Sequence, residues 1–135
     1  MDSDPINTES FKRFILTQLA EEITATPFKS SIRLIIIMSL GVSKRMRLTD
    51  LMKLTGCGKG SISNHIDKLE ASGFVTTHDV SFFTSPRIVV EITKKGEAFF
   101  DNYLSMLEKI VHSTDHSVDE KSKTDLKTND NPHLN

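Results

Sequence analysis

Residues 48–74, LTDLMKLTGCGKGSISNHIDKLEASGF, decide the fold. Their first part has apolar residues on one side of a helix, namely Leu48, Leu51, Met52 and Leu54. Thr49 is the expected N-cap, because Thr side chains accept hydrogen bonds from the free N–H groups of a first turn. Gly56 is expected to end this helix, since glycine readily takes the left-handed conformation. A second helix is therefore predicted directly after a tight turn, over residues 59–72.

The second helix has two different faces. One is apolar at i, i+4 and i+7 and is predicted to be buried; it consists of Ile62, Ile66 and Leu69. The other is small, polar and free of acids; it consists of Ser61, Asn64, His65 and Lys68. A helix that needs only solubility more often carries pairs of Glu and Lys there. Short polar groups with a cation suit base edges and phosphate, so the pattern predicts a helix-turn-helix with residues 59–72 as its recognition helix.

Two longer segments resemble a known family. TGCGKGSISNHIDKLEASGFV (residues 55–75) and SPRIVVEITKKGEAFF (residues 85–100) resemble the winged helix-turn-helix regulators of the MarR-like and ArsR-like group. The small-residue turn, the S-x-S-x-H-x-x-x-L-E helix, the two-stranded wing and the h-T-x-x-G entry into the next helix follow in the family's order. The resemblance covers about residues 27–100. It implies a transcriptional regulator, although fold alone does not fix function.

The expected fold class is mainly α with a small β-wing (α+β), in one domain over residues 1–111. Its core module is residues 27–97, with a short strand at 47–48 and the wing at about 74–92. Helices are expected at residues 8–25 and 94–111, with Thr93 as the cap of the last. The almost wholly apolar segment 27–40 predicts a central helix that has Thr26 as N-cap, Pro27 at its first position and Gly41 as its stop.

The terminal helices are predicted to form a dimerisation layer. The face of residues 94–111 is wide enough for a dimer seam shared with residues 8–25, and the resembled family pairs through its terminal helices. A twofold dimer would place two recognition helices about one DNA turn apart. Residues 112–135 are polar and are expected to form a disordered tail. The resemblance also allows a small-molecule effector, in a pocket between the dimer helices and the winged module.

Composition bounds the remaining functions. The chain has 135 residues, is 37% hydrophobic and has one cysteine, so it cannot form an internal disulfide. The longest apolar run, residues 34–38, is far below the ~18 residues of a bilayer span. No signal peptide is expected, nor any contact with a membrane, and the predicted location is cytoplasmic.

Charge is distributed unevenly although the net value is −1. Residues 27–97 contain eleven Lys and Arg against six Asp and Glu, a net charge of +5. The segments before and after each carry −3. The basic charge therefore lies on the predicted DNA-binding module, where it favours double-stranded DNA as the partner.

The predicted site residues fall into two groups. Those expected to contact bases are Ser61, Asn64 and His65, and an Asn at such a site suits adenine. Those expected to contact the DNA backbone are Lys44, Arg45, Arg47, Lys59, Ser63, Lys68 and Arg87. Three alternatives stay open: residues 42–47 as a solvated loop, Arg87 as a solvated arginine, and His65 as a packing residue that faces the wing.

No catalytic, metal or cofactor site is predicted, and an enzyme is not expected, because no nucleophile has a base and an orienting partner at suitable spacing. His112, Asp115 and His116 could ligate a metal, but they lie in the polar tail. Cys57 could be a redox sensor, although a small buried side chain in the turn is favoured. The competing function is a winged helix that docks on another regulator without binding DNA.

Overall fold

The computed structural model describes the backbone of residues 4–82 and 85–129 and the side chains of residues 8–82 and 85–113. The fold is mostly helical with a small three-stranded antiparallel sheet, so the predicted α+β winged class is confirmed. The elements are α1 (Asp4–Thr24), α2 (Ser31–Ser43), β1 (Arg45–Arg47), α3 (Leu48–Thr55), α4 (Lys59–Ala71), β2 (Val75–Asp79), β3 (Ile88–Ile92) and α5 (Lys94–Asn129).

The chain divides into two compact units. Leu19–Leu104 forms the larger unit, which contains α2, α3, α4 and the sheet. The ends of the chain, up to Gln18 and from Ser105, form the smaller one. Within the smaller unit Ile15 and Met106 are buried. Residues 1–111 are predicted to form one domain, and this stays a prediction.

The core of the larger unit is aliphatic and supports α4. Its fully buried members come from α2, α3, α4 and the sheet; they are Ile36, Ile37, Leu40, Leu51, Ile62, Leu69, Val75 and Val90. Ile66 is also buried, so the predicted apolar face of α4 is observed in full. Complete burial of one such side chain contributes about 1.5–3 kcal/mol. Three of them on one short helix therefore hold α4 firmly against the body.

The sheet connects the wing to the helix-turn-helix. β3 lies in the centre, between β1 and β2, and both pairings are antiparallel. β1 was expected at residues 47–48 but occupies Arg45–Arg47, with Met46 opposite Val90. Leu48 is instead the first residue of α3 and is buried. Thr49 was therefore wrong as the N-cap: the strand runs directly into the helix, and the cap position is Arg47, which makes no side-chain capping bond.

The start of α2 also differs from the prediction. Thr26-Pro27 is a cis peptide, and the helix begins at Ser31, with the Ser30 hydroxyl accepting a hydrogen bond from the Arg33 N–H. The intervening turn is held by packing, because the ring of Phe28 stacks on Phe99 with centroids 3.9 Å apart. Pro27 is thus a buried turn residue rather than a first helical residue.

Gly41 lies inside α2 and does not end it. The helix continues to Ser43, and Lys44 closes it with a φ of 72°. A Cβ atom at position 41 would lie only 2.2 Å from Cδ1 of the Phe100 ring. Glycine is therefore required at this position for close packing. From the sequence alone, a glycine in this role cannot be distinguished from one that ends a helix.

The terminal helices extend beyond their predicted bounds. α1 begins at Asp4 instead of residue 8, and α5 continues from Lys94 to Asn129 instead of ending at residue 111. Disorder was predicted for 112–135, but residues 112–129 are helical; the sequence has no Gly or Pro between Glu97 and Asp130 to stop a helix. Residues 130–135 lie outside the described part. Among the helices described here, none is both long and apolar enough to cross a membrane.

Gly96 provides a test of the packing at the start of α5. A Cβ at this position would lie 2.4 Å from the Phe74 carbonyl oxygen, which accepts the Thr93 N–H and cannot easily shift. We expect Gly96→Ala to lower the free energy of unfolding by about 1–3 kcal/mol, as overpacking does. Urea unfolding followed by circular dichroism measures the change.

Gly60→Ala is the matched control. Gly60 lies in α4 with open space around its Cα, so alanine there should raise stability by up to about 1 kcal/mol. Equal stability of the two variants would contradict the packing described at Gly96.

Candidate nucleic-acid interface

The turn before α4 is built as the sequence predicts. Gly56 ends α3 in the left-handed conformation, with φ of 73°, and Gly58 precedes α4 in an extended conformation. The Thr55 hydroxyl accepts the Cys57 N–H at 3.2 Å, which satisfies a backbone donor within the turn. The turn thus fixes the angle at which α4 leaves α3.

The far end of α4 is tied to the wing and to α5. The Glu70 carboxylate accepts hydrogen bonds from the backbone N–H and the hydroxyl of Thr77 on β2, at 3.1 and 3.2 Å. Lys95 Nζ donates to the carbonyl of Ser72, the C-cap of α4, at 2.8 Å. Helix, wing and α5 are therefore held together at this end.

Three of the four residues on the polar face of α4 are exposed, namely Ser61, Asn64 and Lys68. Ser63 and His65 are half-buried. No ion pair of Lys68 is present among the residues whose side chains are described. The face therefore offers hydroxyl, amide and ammonium groups to a partner.

His65 faces α2. Its Nδ1 atom lies 3.0 Å from Nη1 of Arg33. Burial lowers the pKa of His65, and the neighbouring charges of Arg33 and Lys68 lower it further. The imidazole is therefore neutral at pH 7. A histidine packed toward the wing, the alternative that the sequence left open, does not describe this contact. The sequence did not reveal the contact with Arg33, because the two residues are 32 positions apart.

The cations of residues 44–47 have acidic partners within the protein. Lys44 pairs with Glu97 at 3.0 Å, Arg45 with Glu91 at 3.4 Å, and Arg47 with Asp50 at 3.2 Å. All three basic side chains are more than half exposed, so each pair contributes at most about 1 kcal/mol and can open. Of the three, only the Arg47–Asp50 spacing could have been noticed in the sequence.

A second group of cations surrounds a cleft between the helix-turn-helix and the wing. The cleft has a volume of about 430 Å³ and is lined by Arg47, Lys59 and Arg87 around the apolar side chains of Leu48, Met52 and Ile88. Lys59 and Arg87 form no ion pair within the described part of the chain. The fold thus brings the start of α4 and the base of the wing together as one basic region, with Lys68 further along α4.

The remaining candidates do not join this region. Cys57 is half-buried and packs against the core, as expected for a small apolar side chain in the turn. The side chains of Asp115 and His116 lie outside the described residues, so the metal alternative in the tail stays a prediction. Among the side chains of residues 8–82 and 85–113, no group of three His, Cys, Asp or Glu could hold a metal ion.

Comparison with known proteins identifies the scaffold. The sequence profile of a family described as "Winged helix DNA-binding domain" matches residues 32–111. No curated protein sequence matches the chain. Among solved structures, a transcriptional regulator homologue from Pyrococcus horikoshii is 28% identical and superposes with a TM-score of 0.60, covering 75% of this chain and 97% of its own.

Two further structures share the fold at lower identity. YusO from Bacillus subtilis is 14% identical with a TM-score of 0.61, over 98% of this chain and 96% of its own. BpsR from Bordetella bronchiseptica is 17% identical with a TM-score of 0.53, covering 80% of this chain and 83% of its own. It is described as a protein whose DNA binding is regulated by 6-hydroxynicotinic acid. The predicted resemblance to winged helix-turn-helix regulators is confirmed. Neither the matched family nor the regulators among these structures are described as enzymes.

Proposed function

The chain belongs to the winged helix DNA-binding domain family, and on this basis we propose that it is a transcriptional regulator that binds specific duplex DNA as a homodimer. The observation that carries the proposal is the polar, acid-free face of α4: three of its four residues are exposed, while the opposite face of the helix is buried. An α-helix fits the major groove, and short polar side chains on it can reach base edges.

The two kinds of contact come from different parts of the site. Ser61 and Asn64 would contact bases, with Asn64 offering adenine a paired donor and acceptor. Lys59, Lys68 and Arg87, which form no internal ion pair among the described residues, would contact phosphate. Lys44, Arg45 and Arg47 would join them only when their pairs with Glu97, Glu91 and Asp50 open.

Exposed apolar side chains on the terminal helices support a dimer. Those on α1 and α5 that are 43–58% exposed are Phe11, Phe14, Leu16, Leu104 and Val111. Large exposed apolar groups of this kind are typical of a protein interface. Because obligate dimer interfaces resemble a divided core, a second copy of this chain is the partner we propose.

We extend the proposal to a small-molecule effector on the basis of the fold. BpsR shares the fold and is described as regulated by 6-hydroxynicotinic acid. For this chain the proposed effector is a small molecule that alters its affinity for DNA.

Asn64→Ala tests base recognition. We expect the variant to lose about 1–3 kcal/mol of affinity for the selected site and to relax the preference at one base pair of each half-site. Fluorescence anisotropy with the selected duplex and with single-base variants measures both effects.

Asn102→Ala is its control, because it makes the same side-chain change on α5, where Asn102 donates to Glu22. This variant should bind as the wild type does. If Asn64→Ala instead retained full affinity and selectivity, the assigned face of α4 would be wrong.

A salt titration separates DNA binding from the competing function. Counterion release predicts that affinity for random duplex falls steeply as salt rises. A docking module that contacts only protein would show essentially no binding to duplex at any salt concentration, and that outcome would refute the proposal.

A further inference from the structure

A single arginine connects the turn before α2 to the recognition helix. Arg33 Nε donates to the carbonyl oxygen of Pro27 at 2.6 Å, and Arg33 Nη1 lies 3.0 Å from His65 Nδ1. Pro27 is fully buried, so the carbonyl that holds the guanidinium is itself fixed. Within the described residues no carboxylate pairs with Arg33. Its two positioned N–H groups therefore serve a backbone oxygen and an imidazole nitrogen.

This contact determines which nitrogen of His65 carries the proton. Arginine has five donors and no acceptor, so Nδ1 of His65 must be the unprotonated acceptor. A neutral imidazole then carries its proton on Nε2. Protonation of both nitrogens would direct an N–H group of the imidazolium at an N–H group of Arg33 and would place two cations in contact. Burial and the same arginine lower the pKa of His65, which agrees with a neutral ring.

We propose that Arg33 is a specificity-determining positioning residue, which fixes His65 in the Nε2–H form so that α4 presents an N–H donor that selects guanine over cytosine. This inference rests on the proposed function, because it assigns one base contact of the same helix. Guanine shows two acceptors, N7 and O6, in the major groove, whereas cytosine shows a donor.

Arg33 also excludes alternative contacts. A histidine without it could take either tautomer, and an unprotonated Nε2 would accept from the amino group of cytosine or adenine. With Arg33 in place, cytosine, which shows only a donor in the major groove, would meet a donor with a donor, and both groups would be left unsatisfied. Specificity then comes from a cost to the wrong base as well as a bond to the right one.

The first test uses the wild-type protein without DNA. A long-range ¹H–¹⁵N NMR correlation of the histidine rings at neutral pH reports which ring nitrogen is protonated. We expect His65 to show an unprotonated Nδ1 and a protonated Nε2. A protonated Nδ1, or an equal mixture of the two forms, would overturn the inference and leave the proposed function untouched.

The second test compares duplexes selected from a random pool by the wild type, Arg33→Met and Arg33→Lys. Methionine removes the donors, whereas lysine keeps a donor-only side chain of similar length. We expect Arg33→Met to lose about fivefold in the preference for guanine over cytosine at one position per half-site, with the other positions retained. Arg33→Lys should lose less, and His65→Ala should lose the preference at the same position.

Two outcomes separate the possible failures. If the wild type selects a DNA motif and His65→Ala keeps the same base preference at every position, the inference alone is overturned. Wild-type protein that binds no duplex would overturn the proposed function and the inference with it. Urea unfolding of each variant identifies any loss caused by destabilisation rather than by the changed tautomer.

Discussion

Reversing the charge of Lys59 and Lys68 together is expected to abolish DNA binding at moderate salt. Lys59 is the first residue of α4 and Lys68 lies on its polar face; both side chains are exposed and form no ion pair among the described residues. Each phosphate contact contributes about 0.9 to the slope of log K against log salt. Four lost contacts in a dimer would therefore weaken binding about 10³–10⁴-fold at about 0.1 M salt, before repulsion by the new glutamates is added.

The double variant Lys94→Glu/Lys109→Glu is the matched control. It makes the same change in net charge at two exposed positions of α5, outside the helix-turn-helix. We expect a small loss of affinity for all duplexes, because the net charge is altered. The slope of log K against log salt should be unchanged. Similar losses in both double variants would mean that net charge, and not the basic region around α4, controls binding.

Phe14→Glu is expected to dissociate the dimer. Phe14 is 58% exposed on α1, and the exposed Phe11 lies on the same side of the helix at i, i+3, so the isolated protomer should tolerate the change. Burying a carboxylate without a partner in an interface costs several kcal/mol. Analytical ultracentrifugation should detect monomers of the variant and dimers of the wild type.

Loss of the dimer should also lower DNA affinity. Two linked recognition helices gain about 10²–10⁴-fold over one through effective concentration. Phe14→Glu should therefore bind a duplex with two half-sites no better than one with a single half-site. Val42→Glu, on an exposed apolar residue of α2, is the control and should remain dimeric. A dimeric Phe14→Glu variant would contradict the proposed interface on α1.

Much of the helix-turn-helix could be predicted from the sequence because its signals are local. The stripe of Ile62, Ile66 and Leu69 has helical spacing, and all three residues are buried. Gly56 occupies the turn position that the sequence assigned to it. These features depend on residues within one or two helical turns of each other.

The features that the sequence could not reveal depend on distant residues. Gly41 was interpreted as a helix stop, yet its position is set by the ring of Phe100. Lys44 and Arg45 were assigned to phosphate, yet each has an acid on α5 or β3 within 4.0 Å. His65 was assigned to base contact, with packing toward the wing as the alternative, yet its Nδ1 atom lies 3.0 Å from Nη1 of Arg33 on α2. Only the packing of elements against each other creates these constraints.

The most direct test of DNA reading by α4 is the selection of duplexes from a random-sequence pool by the purified wild-type chain, because it reports binding, sequence preference and symmetry in one experiment. If α4 reads the major groove in a dimer, the enriched sequences should contain two inverted half-sites centred about 10–10.5 base pairs apart or a multiple of that spacing, and their binding should weaken steeply with salt. A pool that stays unenriched after repeated rounds, with no salt-dependent binding, would contradict the account.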